Sequence, residues 1–327
     1  MTESSQKMIL VSVDLFSEGL PLPVDVYTRL LSGQYLLVGK KSEKSNFRTL
    51  HMTAQRKAEL YVRGEDYDIV IQYNTALTKT AVLKPDIPTN FKVNLISGLA
   101  DSAINDLVER RIVSGSFDRV KQLSGFIKDT VSQVHDVDQL LDLLSRLPKD
   151  NAAHGMATAA VSLLICEHME ITSKPTLEKV TLGALLHDVG LKEIPESILN
   201  KTRAERTVEE NTFYESHTLR GVELLRDLKE MPSDVLAIIL EHHENALGMG
   251  YPRRIRDIKI NPLARIVGVA NYFMELLSNG NDSYHAKSPE EALHYMEVTL
   301  GLPFNKQVFA ALKEVVRGPQ PKVKPGF

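Results

Sequence analysis

A chain of 327 residues with 43% hydrophobic and 25% charged residues is long enough for two domains and too apolar to stay disordered over most of its length. Its formal net charge of -3 argues against a large basic face, so duplex nucleic acid is not expected as a partner, although a local phosphate pocket needs only a few cations. The single cysteine, Cys166, excludes an intrachain disulfide and any thiolate-rich zinc site, which leaves nitrogen and oxygen as the ligands of any bound metal.

The first residues, 1–7, are polar, and the apolar run from Met8 is interrupted by Asp14. Neither a signal peptide nor a membrane span is supported, and a cytoplasmic location is expected. Residues 1–92 read as a small mixed α/β domain, a sensor or the docking place of a signalling partner or ligand. Short apolar runs at 9–11, 35–38 and 68–71 look like strands, and Thr53 can cap a short helix running through Leu60. Pro85 and Pro88 mark a change of pattern. From Val93 apolar residues recur every three to five positions (Leu95, Leu99, Ile104, Leu107, Ile112, then Val120, Leu123, Ile127, Val131, Val134), so 93–147 are expected to be connecting helices with a core-facing stripe.

Residues 148–327 read as an all-α domain, with helices over 152–169, 177–187, 207–228, 234–244, 262–277, 289–300 and 306–316 and a loose proline-bearing tail. The fold class expected is thus α+β in two domains, the second wholly helical.

Chemistry concentrates in that second domain. The apolar run 180–186 delivers His187 and Asp188 to its end, and Gly190 lets the backbone turn away. His217 and the pair His242-His243 follow at the inward faces or ends of later helices, and Asp150 and His154 stand four apart at the head of an earlier one, so both can face the same side. Taken singly, each has a plain structural reading: His154 as a satisfied core histidine, Asp150 as a helix cap. Five histidines and an aspartate ordered this way point instead to a metal site, because burying so many titratable groups without a cation is costly.

These residues carry a family resemblance. His187-Asp188-x-Gly190, Ile194-Pro195-x-x-Ile198-Leu199, His217-x-x-x-Gly221, His242-His243-Glu244 followed by Gly248-x-Gly250-Tyr251-Pro252, Ala264-Arg265-Ile266-Val267 and Glu290-Glu291-Ala292-Leu293 together resemble the HD-GYP branch of the HD-domain metallophosphohydrolases over about residues 150–312. The resemblance implies an all-helical fold holding two or three divalent ions, iron foremost and manganese second. It implies hydrolysis of the cyclic dinucleotide cyclic di-GMP to pGpG or GMP by a water activated between two metals. It carries metal-ligand roles to His154, His187, Asp188, His217, His242 and His243, and a third-metal role to Asp150.

Four stretches depart from the pattern. Leu191 stands where the family has a lysine, with Lys192 one residue on; Asn271 stands where an aspartate completes the metal site; Leu247-Gly248 replaces Asp-Gly; and Asp282-Ser283-Tyr284-His285 replaces a phosphate-binding Arg-Pro-Tyr-Lys or Arg stretch. Asn271 is still expected among the metal ligands through its amide oxygen, without the negative charge. Lys192 is the expected catalytic cation beside Asp188. Lys192, Arg265, Tyr284 and His285 are the groups expected to meet the substrate, Arg265 having an equal reading as a structural partner within its helix. The missing cations leave two further readings open: a metal-retaining signalling or binding module with little turnover, and a hydrolase of another nucleotide phosphate.

Overall fold

Met8–Val11 (β1) begins an antiparallel four-stranded sheet with Val26–Arg29 (β2), Tyr35–Gly39 (β3) and Leu60–Arg63 (β4), in the order β1-β4-β2-β3. The computed structural model describes residues 7–44, 50, 59–109, 116–147, 150–228, 230–278, 285–301 and 303–318. Within it, 1–105 and 106–327 are two compact units. Two of the three expected strands form. The third does not: residues 68–71 lie inside a helix, Tyr67–Val82 (α1), whose buried positions Tyr67, Val70, Ile71, Asn74, Thr78, Ala81 and Val82 follow the helical period. Four apolar or charged residues are too short a window to separate the two periods, and only the sixteen-residue run decides. Leu60, expected to end a helix, starts β4, and Thr53 lies outside the described residues.

A longer helix, Thr89–Glu109 (α2), buries Leu95, Leu99, Ile104 and Leu107, the stripe expected from spacing. Ser116–Val131 (α3) buries Val120, Leu123, Ile127 and Val131 in the same way. Val137–Ser145 (α4) is capped by the Asp136 carboxylate, which accepts the Gln139 N–H at 2.9 Å.

The second unit is built around Asn151–His168 (α5), in which every residue from Ala152 to Cys166 except His154 is buried. A helix apolar on all sides needs neighbours on all sides. It has them in Lys174–Leu186 (α6), Pro262–Leu277 (α11) and Lys306–Arg317 (α13). Gly155 lets α5 meet the end of α6 closely: a Cβ there would come within 2.8 Å of the Leu185 carbonyl oxygen. That contact sets His154 beside the turn that follows α6.

After α6 the chain makes a 3-10 turn, Val189–Glu193, and the short helices Glu196–Leu199 (α7) and Val208–Glu215 (α8). The single helix expected over 207–228 is broken at Ser216. A new helix, His217–Leu225 (α9), starts at the histidine itself, and Ser216 Oγ donates to the Phe213 carbonyl at 2.5 Å. Ser233–Glu241 (α10) ends just before His242-His243. Pro289–His294 (α12) runs into a π-helical turn, Tyr295–Thr299, where one continuous helix was expected. Among the described residues no helix is long and apolar enough to cross a membrane.

Cys166 is fully buried on α5, and burial pushes its thiol up to about 12. The native protein is therefore expected to resist alkylation by iodoacetamide at about pH 8, where so little thiolate exists, and to take up label only after unfolding. Rapid labelling of the native state, read by mass spectrometry, would show that α5 opens readily.

Candidate metal centre

Four helices and one turn converge on Asp188. It follows α6 and its oxygens lie 3.2 Å from His187 Nε2, 3.4 Å from His217 Nε2 and 3.6 Å from His242 Nε2. Two donor groups share it: Asp188 with His217, His242 and His243, and Asp188 with His154 and His187. The sequence reading named all six, and they meet in space although 89 positions separate His154 from His243 in the chain.

The imidazoles are held from behind. His187 Nδ1 donates to the Ala184 carbonyl at 2.7 Å, His217 Nδ1 to that of Tyr214 at 2.8 Å, and His242 Nδ1 to that of Ile239 at 2.9 Å. Each acceptor is the carbonyl three residues back, which a helical or turn backbone supplies without any special sequence. Anchored so, each ring turns its Nε2 lone pair toward Asp188. Lone pairs facing a carboxylate repel unless a cation or proton lies between them. His217 Nε2 and His242 Nε2 also stand 3.4 Å apart, and His187 Nε2 is buried with no hydrogen bond of good geometry despite its closeness to Asp188. An orphaned nitrogen among like-facing donors is the signature of a divalent cation site, and this nitrogen and oxygen set suits one.

Electrostatics agree at Asp188 and at four of the five imidazoles, His187 being the exception. Burial alone would raise the Asp188 carboxyl, but His187, His242 and His217 hold it well below the usual carboxylate range. Burial pulls the His187 imidazole down, and the Asp188 carboxylate with the Ala184 carbonyl outweighs that and holds it above its ordinary value. Burial lowers His217 to about 4, and it lowers His154, His242 and His243 as well. Neutral imidazole is the form that binds metal.

The other expected residues divide. Asp150 is the N-cap of α5, its Oδ1 accepting the Ala153 N–H at 2.8 Å; it borders the adjoining cavity but stands outside both donor groups. Asn271, buried on α11, accepts a hydrogen bond from His154 Nε2 at 2.6 Å and donates through Nδ2 to Glu275 at 3.1 Å. Lys192 is exposed on the 3-10 turn and lines neither of the cavities beside the cluster. Arg265 lines the second cavity, with its guanidinium bound to the Ile260 carbonyl at 2.9 and 3.1 Å and 3.5 Å from Asp257. His285 borders a separate hollow with Lys287 and His294, and Tyr284 lies outside the described residues.

The glutamate of His242-His243-Glu244 holds the loop that follows. Its carboxylate accepts the Arg253 and Ile255 N–H groups at 2.6 and 3.0 Å, while Tyr251 stacks on His243 with ring centroids 4.5 Å apart. A cavity of about 460 Å³ opens beside Asp188, bordered also by Arg203, Arg206, Tyr214, Glu215 and Glu275; a second, of about 390 Å³, shares His243 and Tyr251 with it. The sequence reading named none of those five. Glu275 had a visible signal, one helical turn after Asn271; the arginines, in a loop, had none.

The Asn271–Glu275 contact makes Asn271→Asp informative. The new carboxylate would face Glu275 across the position where Asn271 Nδ2 now donates at 3.1 Å. The metal-free variant is expected to lose roughly 1 kcal/mol or more, about 2–4 °C in melting temperature, from this like-charge pair. With metal the same charge adds to the donor set and should slow release to a chelator. Unchanged retention would place Asn271 outside the ligand set.

An HD domain family model matches residues 135–303. The chain belongs to the HD-domain family. Among curated proteins it is similar to the cyclic di-GMP phosphodiesterase PA4108 of Pseudomonas aeruginosa, 28% identical over 163 residues, covering 50% of this chain and 38% of that protein. It is similar also to 3'3'-cGAMP-specific phosphodiesterase 3 of Vibrio cholerae (29% over 171 residues, 50% and 35%) and to the cyclic di-GMP phosphodiesterase response regulator RpfG of Xanthomonas campestris pv. campestris (33% over 153 residues, 46% and 40%). The matches thus span well under half the length of these relatives. Among solved structures, Bd1817 of Bdellovibrio bacteriovorus, an HDG"Y"P protein, superposes with a TM-score of 0.77 over 95% of this chain and all of its own at 19% identity, which establishes the shared fold. Together with the motifs around His187, His217, His242 and Tyr251, the family match and the curated relatives support the HD-GYP branch.

Proposed function

We propose that the chain is a metal-dependent phosphodiesterase of cyclic dinucleotides, with cyclic di-GMP the first candidate. The observation that carries this is the pair of donor groups sharing Asp188, which with His154 and His243 borders the cavity of about 460 Å³. Relatives named for hydrolysing cyclic di-GMP or 3'3'-cGAMP support the substrate class. Two divalent ions, iron foremost and manganese second, would suit two donor groups that share Asp188.

Bound divalent ions would make a water nucleophilic near neutral pH and offset charge on the phosphoryl oxygens. The protein's own contribution is positioning. Asp188 joins the two groups, the carbonyls of Ala184, Tyr214 and Ile239 fix the imidazoles, and Tyr251, stacked on His243, walls the centre. Protein loaded with iron or manganese under anaerobic conditions should convert cyclic di-GMP to pGpG or GMP, resolved by chromatography beside 3'3'-cGAMP. Loaded protein that leaves both untouched would refute the reading.

A second reading, a metal-retaining module with little turnover, is favoured by the placement of Lys192 outside both cavities and by the tie of Arg265 to Ile260. Tight binding of the dinucleotide without product would distinguish it.

A further inference from the structure

We propose that Arg203 and Arg206, on the turn between α7 and α8, form a phosphate-binding subsite for the anionic ligand of the larger cavity, in place of the cations absent from Leu191 and residues 282–285. The inference rests on the nucleotide reading above and adds to it which side chains meet the phosphate that the metal centre does not.

Arg206 is buried, only 7% exposed, in the wall of the cavity that Asp188 and His154 also line. Its Nε donates to the Ile198 carbonyl at 3.1 Å, and its guanidinium carbon lies 3.7 Å from the centroid of the Tyr214 ring. Its Nη2 is buried and has no hydrogen-bond partner, although the guanidinium charge acts on Glu210, whose carboxyl Lys201 and, more weakly, Arg206 hold below its ordinary value. A buried guanidinium with an idle N–H carries a desolvation cost that its one carbonyl hydrogen bond and its ring contact offset only in part. Packing on an aromatic ring accounts for the stem and the face of the group, not for the idle donor.

Arg203 is exposed and borders both cavities. The two arginines sit on a turn fastened from several sides. Asn211 Nδ2 donates to the carbonyls of Arg203 and Arg206, both at 3.2 Å, and the Glu205 carboxylate accepts the Thr202 N–H and hydroxyl at 2.8 and 2.9 Å. The clamp fixes the backbone at both arginines, and the Arg206 side chain is held as well, by the Ile198 carbonyl and the Tyr214 ring, which spares the ordering cost of that side chain. Asp150, Asp188, Glu215 and Glu275 border the same cavity, so an anion entering it meets four carboxylates and needs cations beyond the metal centre. The planar fork of arginine matches phosphate oxygens better than a lysine point charge.

The test compares wild type with Arg203→Met, Arg206→Met and Arg206→Lys, each loaded with metal and checked for metal per chain and for helical content. Calorimetry with cyclic di-GMP across a salt series is the readout. Both methionine variants are expected to keep their metal, to bind roughly tenfold or more weakly, and to show a shallower loss of affinity with salt. Arg206→Lys should fall between. Equal affinity and equal salt slope in both methionine variants would overturn the subsite while leaving the phosphodiesterase reading intact. Should Arg206→Met unfold, Arg203→Met and Arg206→Lys decide alone. If wild type neither binds nor hydrolyses cyclic di-GMP, the substrate reading fails, and the same comparison is made with pGpG and inorganic pyrophosphate. There, weaker binding by the variants supports the subsite, and equal binding, or none by wild type, overturns it.

Discussion

Asp188→Ala is expected to empty both halves of the metal centre at once, whereas His154→Ala should empty only one. Asp188 is the sole residue shared by the two donor groups, and its oxygens lie within 3.6 Å of three separate imidazole nitrogens. Removing it takes the only carboxylate from a set whose other members are all histidines, so affinity should fall by more than the roughly 10–100-fold that loss of a supporting outer partner costs. Helical content should survive, because Ala152 to Cys166 on α5 and Val180 to Leu186 on α6 remain packed. Elemental analysis should therefore find metal per chain near zero in Asp188→Ala and roughly half the wild-type value in His154→Ala, since each group can hold an ion by itself. Equal occupancy in the two variants would mean that the groups do not act as two sites joined by one carboxylate.

The largest expected loss of stability comes from a methyl group. In Gly190→Ala the added Cβ would lie 2.0 Å from the His217 carbonyl oxygen and 2.6 Å from the Gly221 nitrogen. Both are backbone atoms, so no side chain can swing aside. The 3-10 turn or α9 must shift instead, and α9 carries His217 at its first residue. We expect a loss of about 3 kcal/mol or more, roughly 6–12 °C in melting temperature, accompanied by weaker metal binding. Gly125→Ala is the control: in the middle of α3, with nothing within 4 Å of the new methyl, it should stabilise by roughly 0.5–1 kcal/mol. If Gly190→Ala melts within about two degrees of wild type, the close contact between the turn and α9 is looser than drawn.

What could be read from residues alone was whatever short-range chemistry dictates. Asn261 before Pro262 caps and starts α11 where the sequence reading began it, and the apolar period of 152–169 yields α5 within one residue. His187-Asp188 and His242-His243 were legible through their recurrence with His154 and His217 at the ends and inward faces of apolar helices, a single such pair being a weak signal. The split of 207–228 at Ser216 was not, since the apolar period runs through the break and only the position of α9 shows it. Nor was the helical state of 68–71, where a four-residue window fits either period and burial across sixteen residues decides. Asp150 and Arg265 each carried two readings, and the partners found are local ones: the Ala153 N–H three residues on for one, the Ile260 carbonyl five residues back for the other. Glu275 joins the centre's surroundings only because α11 packs across α5, and Arg206 reaches the cavity from a loop with no periodicity to betray it. Sequence determines which side chains are available and the helix ends that aim them; which of them share one cavity depends on contacts between residues a hundred positions apart, and those exist only once the helices have packed.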